Sequence, residues 1–141
     1  MDQVNRRQAR EQAFALLFEL SFHPDGSLQD ILDAQEDATP DGFAVKLVCC
    51  VQENLQALDD AIVAKLKPGW RLSRISRASH AILRLAICEI CYFEDIPAGA
   101  SINEAVELAK LYADDDAPKF INGILGAIVR EQKPELESST P

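Results

Sequence analysis

The sequence predicts an all-α fold, one compact domain of helices. Three observations carry this expectation. Of the 141 residues 48% are hydrophobic, yet only six are Gly and seven Pro, and the runs of Ala, Leu, Ile and Glu favour helix over strand or disorder. Apolar residues recur three and four positions apart through most of the chain, the period of a helix with one face in a core. Clusters of Pro, Gly, Asp and Ser punctuate those segments, where helices stop and restart. A chain of this length can bury a sizeable core without disulfide or metal staples.

Asn5 is placed to cap a first helix running to about Phe22, with Ala9, Ala13, Leu16, Leu17 and Leu20 at helical spacing. HPDG at 23–26 is a turn signal, and Ser27 is a candidate cap for a short helix over 28–37. TPDG at 39–42 is another break. From Phe43 to Leu66 the stripe Val45, Val48, Val51, Leu55, Leu58, Ile62 and Leu66 predicts one long helix or two nearly continuous ones, stopped by KPGW at 67–70. Ile75 to Phe93 is apolar on more than one face, as a central helix surrounded by others has to be. After a turn around Pro97 and Gly99, SINE at 101–104 reads as a capping box: Ser101 takes a first-turn amide and Glu104 reaches back, opening a helix to about Tyr112. The last helix is expected from about Pro118 to Gln132, Pro being at home in a first turn. The helical domain is thus expected over residues 1–133, and a polar, disordered tail over 134–141.

Charge is unevenly distributed. The formal net charge is −9, but between Glu19 and Asp60 ten acids face the single base Lys46. Between Ala61 and Cys88 stand Lys65, Lys67, Arg71, Arg74, Arg77 and Arg84, with no acid. Such polarity leaves room for an anionic partner at one surface of an acidic body. No apolar run reaches the roughly 18 residues of a membrane span, and the N-terminus has no signal-peptide pattern, so a soluble, cytoplasmic protein is expected, with no membrane partner.

Local signals for catalysis are weak. Cys88 and Cys91 share a helical face in an apolar segment, but the adjacent Cys49 and Cys50 diverge by about 100° and make a poor second half of a zinc site. All four are expected as inert core thiols, with no metal and no cofactor. Neither His23 nor His80 lies beside a nucleophile pattern. The acids Asp114, Asp115 and Asp116 are better read as favourable charge at the positive end of the last helix than as a cation site. The arginines are less easily dismissed. Arg6, Arg7 and Arg10 crowd the first turns of a helix, the end where its dipole disfavours cations, and a function would explain that placement. A solvated basic end is the plain alternative. Arg10, Phe14 and Phe18 also line up four apart, a cation beside an aromatic ridge.

Three stretches together go further. RRQAREQAFALLFEL at 6–20, ASHAILRLAICEI at 78–90 and INEAVELAKLYADDDAPKFINGIL at 102–125 resemble the NusB family of bacterial transcription antitermination factors, INEAVELAK followed by KFING being the most specific part. The resemblance runs from about Arg6 to Arg130 and is weakest between residues 22 and 70. It implies a small all-α domain of about seven helices in two packed groups. It also implies a partner, the small-subunit ribosomal protein called NusE, and a target, the single-stranded box A element of nascent ribosomal RNA leaders. With other Nus factors on RNA polymerase, that assembly suppresses premature termination; the task is binding, and no enzyme activity is expected. Carried over residue by residue, Arg6, Arg7 and Arg10 would meet phosphates, with Gln8 where some members have another basic residue. Tyr112, Asp116, Lys119 and Phe120 would form the loop site, Asn122 being a contact or a support of the helix start. Exposed bases stack on Tyr or Phe, and a carboxylate accepts from a base amino group. Toward the ribosomal partner the resemblance implies Phe18, and Ser79 at a position acidic in some members. Members differ in forming homodimers, so a homodimer is within the family's range. Two other readings stand beside this one. The first is the NusB-like domain ahead of ribosomal RNA cytosine methyltransferases, which would require this chain to be a fragment. The second is a helical adapter that binds only protein, through its basic stretch from Lys65 to Arg84.

Overall fold

The structure is a computed structural model that describes residues 5–23, 26–34 and 41–132. Among these residues there are seven α-helices and no strand: α1 (Arg6–Leu20), α2 (Leu28–Ala34), α3 (Gly42–Glu53), α4 (Leu55–Lys65), α5 (Arg77–Tyr92), α6 (Ala98–Tyr112) and α7 (Ala117–Gln132), with a 3-10 turn at Leu72–Arg74 before α5. The expected tail over 134–141, and residues 35–37 of the expected second helix, lie outside the described residues.

Helix starts follow the local chemistry of the chain. The Asn5 side chain accepts from the Gln8 amide at 2.8 Å while Gln8 Oε1 accepts from the Asn5 amide at 3.2 Å, a reciprocal box at the head of α1. Gln8 therefore has a local structural task. Ser27 Oγ accepts from the Asp30 amide, and Asp41 and Ser76 cap α3 and α5 in the same way. The stripe over 43–66 resolves into two helices at Asn54, whose backbone (φ −126°, ψ 22°) leaves the helical region and whose side-chain amide donates to the Cys50 carbonyl at 2.7 Å. KPGW is a turn with Pro68 at its second position and Gly69 at φ +88° at its third, closed by the Trp70 amide donating to the Lys67 carbonyl at 3.0 Å. Only Gly takes that φ without strain, and Trp70 is thereby turned outward.

The expected capping box at 101–104 is corrected by the structure. Helix α6 begins one turn earlier, at Ala98 after Pro97, with the Ala100 and Ser101 amides donating to the Pro97 carbonyl. Ser101 and Glu104 are thus interior helix residues, and their side chains are drawn to other helices: Ser101 Oγ donates to Glu89 at 2.9 Å and Glu104 accepts from Arg7. Ionised partners across the fold form stronger hydrogen bonds than a local amide offers.

Helix α5 is the hub, packed against α1, α3, α4, α6 and α7. Helices α1, α2 and α3 gather on one side of it, and α4, α6 and α7 on the other. Leu47, Val48, Val51, Leu58, Ile62, Ile82, Leu83, Ile87, Ile90, Ile121 and Leu125 are fully buried. Ile82, Leu83, Leu85, Ala86 and Ile87 are all inside, which explains why α5 is apolar on more than one face. Of the four cysteines, Cys88 is buried, Cys50 and Cys91 are half-buried, and Cys49 is exposed. The expectation of four core thiols fails at Cys49, because at about 100° per residue it falls on the side of α3 away from the buried face of Ala44, Leu47, Val48 and Val51. Burial pushes the Cys88 thiol above its ordinary range, with Cys50 hydrogen-bonded beside it.

Candidate nucleic-acid interface

The residues expected to meet RNA or the protein partner fall into two places. The first is the outer side of α1 with the end of α6. Arg6 lies over the Phe43 ring, 4.0 Å from its centre, and 3.8 Å from an Asp95 carboxylate oxygen. Arg7 forks onto Glu104, Nε to Oε1 at 2.9 Å and Nη2 to Oε2 at 2.8 Å. The Arg7 hydrogen bond holds the Glu104 carboxyl below its usual range against the opposing effect of burial, and the same bond holds Arg7 above its own.

Arg10 is different in kind. It is only 7% exposed and grips the 2%-exposed Glu89 on α5 through Nε and Nη2 at 2.7 and 2.8 Å. In this arrangement Arg10 is an interior tie between α1 and α5, whereas the phosphate contact expected of it assumes a surface position. The reason is its place on the helix: Arg10 shares the inward face with Ala9, Ala13 and Leu17. The aromatic ridge beside it is real but carries another cation. Tyr112 stacks on Phe14 (4.9 Å, 22°), Phe14 on Phe18 (5.7 Å, 25°), and Phe18 meets Phe22 edge to face (5.1 Å, 77°). At its far end Arg77 lies 4.5 Å over Phe22 and donates to the Ser21 carbonyl at 2.6 Å. Tyr112 is 48% exposed and its hydroxyl donates to Glu11 at 3.2 Å.

The second place is a groove of about 310 Å³ between the segment before α5 and the start of α7, lined among others by Trp70, Arg74, Ser79, Asp114, Asp116 and Phe120. The Trp70 and Phe120 rings lie 6.3 Å apart, tilted by 32°. Ser79, only 5% exposed, is on the lining of this groove and does not accompany Phe18. On α7, Ala117, Ile121, Ile124, Leu125 and Ile128 face the core, leaving Lys119 and Asn122 exposed on the outer side. Asp114, Asp115 and Asp116 are exposed at the α7 start, where the helix dipole favours them; the Asp116 carbonyl accepts from the Phe120 amide at 3.2 Å. Two aromatic faces, adjacent carboxylates and nearby cations can receive a base and its phosphate.

Tyr112 and Phe120 therefore do not act as one aromatic pair: their ring partners are Phe14 and Trp70. Sequence reasoning passed over Trp70, taking KPGW as a helix stop alone, although a lone Trp behind a Pro-Gly turn was the available signal. It also passed over Arg77, Glu89 and Glu104 as partners. The basic stretch from Lys65 to Arg84 is partly neutralised inside the fold: Lys65 pairs with Glu131, and Arg84 forks onto Asp59, which also bonds His80 at 2.7 Å. Among the described residues no group of three or more His, Cys, Asp or Glu side chains is placed to hold a metal ion, and no helix is long and apolar enough to cross a membrane.

Comparison with known proteins agrees with this all-α fold. A sequence profile of the NusB family matches residues 7–130. The transcription antitermination protein NusB of Bacillus pumilus is 44% identical over 133 residues, 92% of this chain and 98% of that protein. Its counterpart in Bacillus subtilis is 40% identical over 136 residues, covering 96% of this chain and 100% of that protein. Among solved structures, T. maritima NusB superposes with a TM-score of 0.84 at 36% identity, covering 92% of this chain and 94% of that one. A chain from a structure of the antitermination factors NusB and NusE in complex with double-stranded RNA superposes with a TM-score of 0.75 at 25% identity, covering 89% and 96%.

Proposed function

This chain belongs to the NusB family of transcription antitermination proteins, and from that premise we propose that it binds the single-stranded box A element of nascent ribosomal RNA leaders together with the ribosomal protein NusE. Delivered with other Nus factors to RNA polymerase, the assembly suppresses premature termination. The task is recognition without bond making, carried out in the cytoplasm.

The observation that carries the reading is the groove in which Trp70 and Phe120 face each other with Asp116 and Arg74 beside them. An unpaired base presents two π-faces and an amino-bearing edge, and this groove offers ring surfaces and carboxylate acceptors. Lys119 and Asn122, exposed one turn along α7, supply a phosphate contact and a polar contact. Arg6 and Arg7 extend the cationic track along α1, while Arg10 secures that helix from within. Tyr112, Phe18 and Phe22, stacked around the buried Phe14 and ending in Arg77, form the surface for the ribosomal partner, with Tyr112 shared between the two tasks. Because acids outnumber cations 23 to 14 on this −9 chain, its electrostatic attraction for RNA is modest, and the partner's contribution is needed for tight binding.

The test is titration of a short labelled box A RNA against a scrambled one, with and without NusE, at two salt concentrations. A box A preference that grows when NusE is present is expected. Equal and feeble binding of both RNAs under every condition would sink the proposal.

A further inference from the structure

None of the three N-terminal arginines is an uncommitted cation in the free protein. Arg10 is buried on Glu89, Arg6 lies on Phe43 near Asp95, and Arg7 is forked onto Glu104. The Arg7 pair differs from the Arg10 pair in exposure: the Arg7 side chain is 63% exposed and that of Glu104 17%, against 9% and 3% for Arg10 and Glu89. The guanidinium edge that Glu104 occupies, Nε with one Nη, is also the edge that grips two oxygens of a phosphate. Alongside runs a groove of about 230 Å³ in which Glu11, Glu104 and Glu107 accompany Arg7 and Lys110. A phosphate arriving here meets carboxylates around the cation it needs.

We infer that Glu104 is an internal competitor for Arg7: in the free protein it occupies the phosphate-gripping edge, and RNA binding exchanges it for a backbone phosphate. This rests on the reading above that Arg7 meets RNA. The exchange is feasible because Arg7 is open to water, so little desolvation opposes it. The released Glu104 retains a second cation, since Arg10 Nη1 lies 3.7 Å from its Oε1. The consequence is discrimination. A strand held only by charge must displace the intramolecular carboxylate to bind at Arg7, whereas a strand anchored at Trp70 and Phe120 stays bound whether or not its phosphate takes Arg7. Glu104 thereby weakens binding of wrong sequences more than binding of the right one.

The test compares Glu104→Gln with Glu107→Gln, a control with the same charge change in the same groove, in the parent and in an Arg7→Ala background. With labelled RNA, Glu104→Gln is expected to tighten scrambled RNA about three- to fivefold, the scale of one exposed ion pair. It should tighten box A less, and Glu107→Gln should have a smaller effect on both. In the Arg7→Ala background the Glu104→Gln gain should fall to the control level. Equal gains for the two glutamine variants, a loss of affinity in Glu104→Gln, or a gain that survives Arg7→Ala each overturn the inference. Salt elution from a heparin column separates this from the function itself. If neither RNA binds the parent, the proposed function fails, yet Glu104→Gln eluting later than Glu107→Gln still supports the exchange, and co-elution refutes it. Should Glu104→Gln lose helicity, the Arg7 Nε–H resonance of the parent decides: it should shift on saturation with heparin, and an unmoved signal overturns the inference.

Discussion

Replacing Glu89 by Ala isolates the most consequential ion pair in the molecule. Glu89 is 2% exposed and accepts from Arg10 at 2.7 and 2.8 Å and from Ser101 at 2.9 Å. Its removal leaves the 7%-exposed guanidinium of Arg10 and the 1%-exposed Ser101 without that acceptor. Breaking a buried pair from one side costs about 3–5 kcal/mol, because the remaining charge stays desolvated. Glu104, 3.7 Å from Arg10, offers partial compensation and moves the expectation toward the lower figure. Against a total stability of about 5–15 kcal/mol this is a large fraction. At about 3 °C per kcal/mol for a domain of this size, the midpoint should fall by roughly 9–15 °C. Urea denaturation followed by circular dichroism measures the loss directly. The double variant Arg10→Met with Glu89→Leu should recover most of it, since apolar replacement of a whole buried pair is often neutral or stabilising by about 1–4 kcal/mol. A single-variant loss below about 1 kcal/mol, or a double variant no more stable than the single, would refute the interior role given to Arg10.

Three further outcomes are expected. Phe120→Ala and Trp70→Ala should each weaken box A binding by a stacking increment of about 1–3 kcal/mol with helical content retained, read by anisotropy and circular dichroism. Asn5→Ala should cost about 1 kcal/mol of stability through the lost reciprocal cap, measurable by urea denaturation. The pH dependence follows from the Asp59–His80–Arg84 cluster. Burial pushes the His80 imidazole below its ordinary range against the raising effect of its Asp59 bond. Burial likewise works to raise Asp59, but hydrogen bonds from Arg84 and His80 outweigh it and hold that carboxyl low. Both groups bind protons more weakly folded than unfolded, so both contributions are present at neutral pH and are lost on acidification. The His80 contribution fades as pH falls from about 6.5 and the Asp59 contribution below about 4. His80→Gln should flatten the stability profile between pH 7 and 5, and an unchanged slope there would count against the cluster.

Helical period, caps and turn residues are local quantities, and the sequence by itself determined what depends on them. The all-α class, the Asn5 and Ser27 starts of two helices, the break at Pro68 and Gly69 and the central position of α5 all follow from neighbours along the chain. Family membership was legible too, because INEAVELAK and KFING stand unbroken in α6 and α7. Only the tertiary structure decided what each polar side chain is for. Ser101 and Glu104 satisfy a capping pattern locally, yet charges on other helices draw them away, the buried Glu89 on α5 taking Ser101 and the exposed Arg7 on α1 taking Glu104, because an ionised partner forms a stronger hydrogen bond than one amide offers. The same physics divides three arginines spaced within five residues into an interior tie at Arg10, a guarded cation at Arg7 and a ring-bound one at Arg6. Sequence spacing can place charges on one helix; what they face is set by elements far along the chain, Phe43 for Arg6, Glu89 for Arg10 and Glu104 for Arg7.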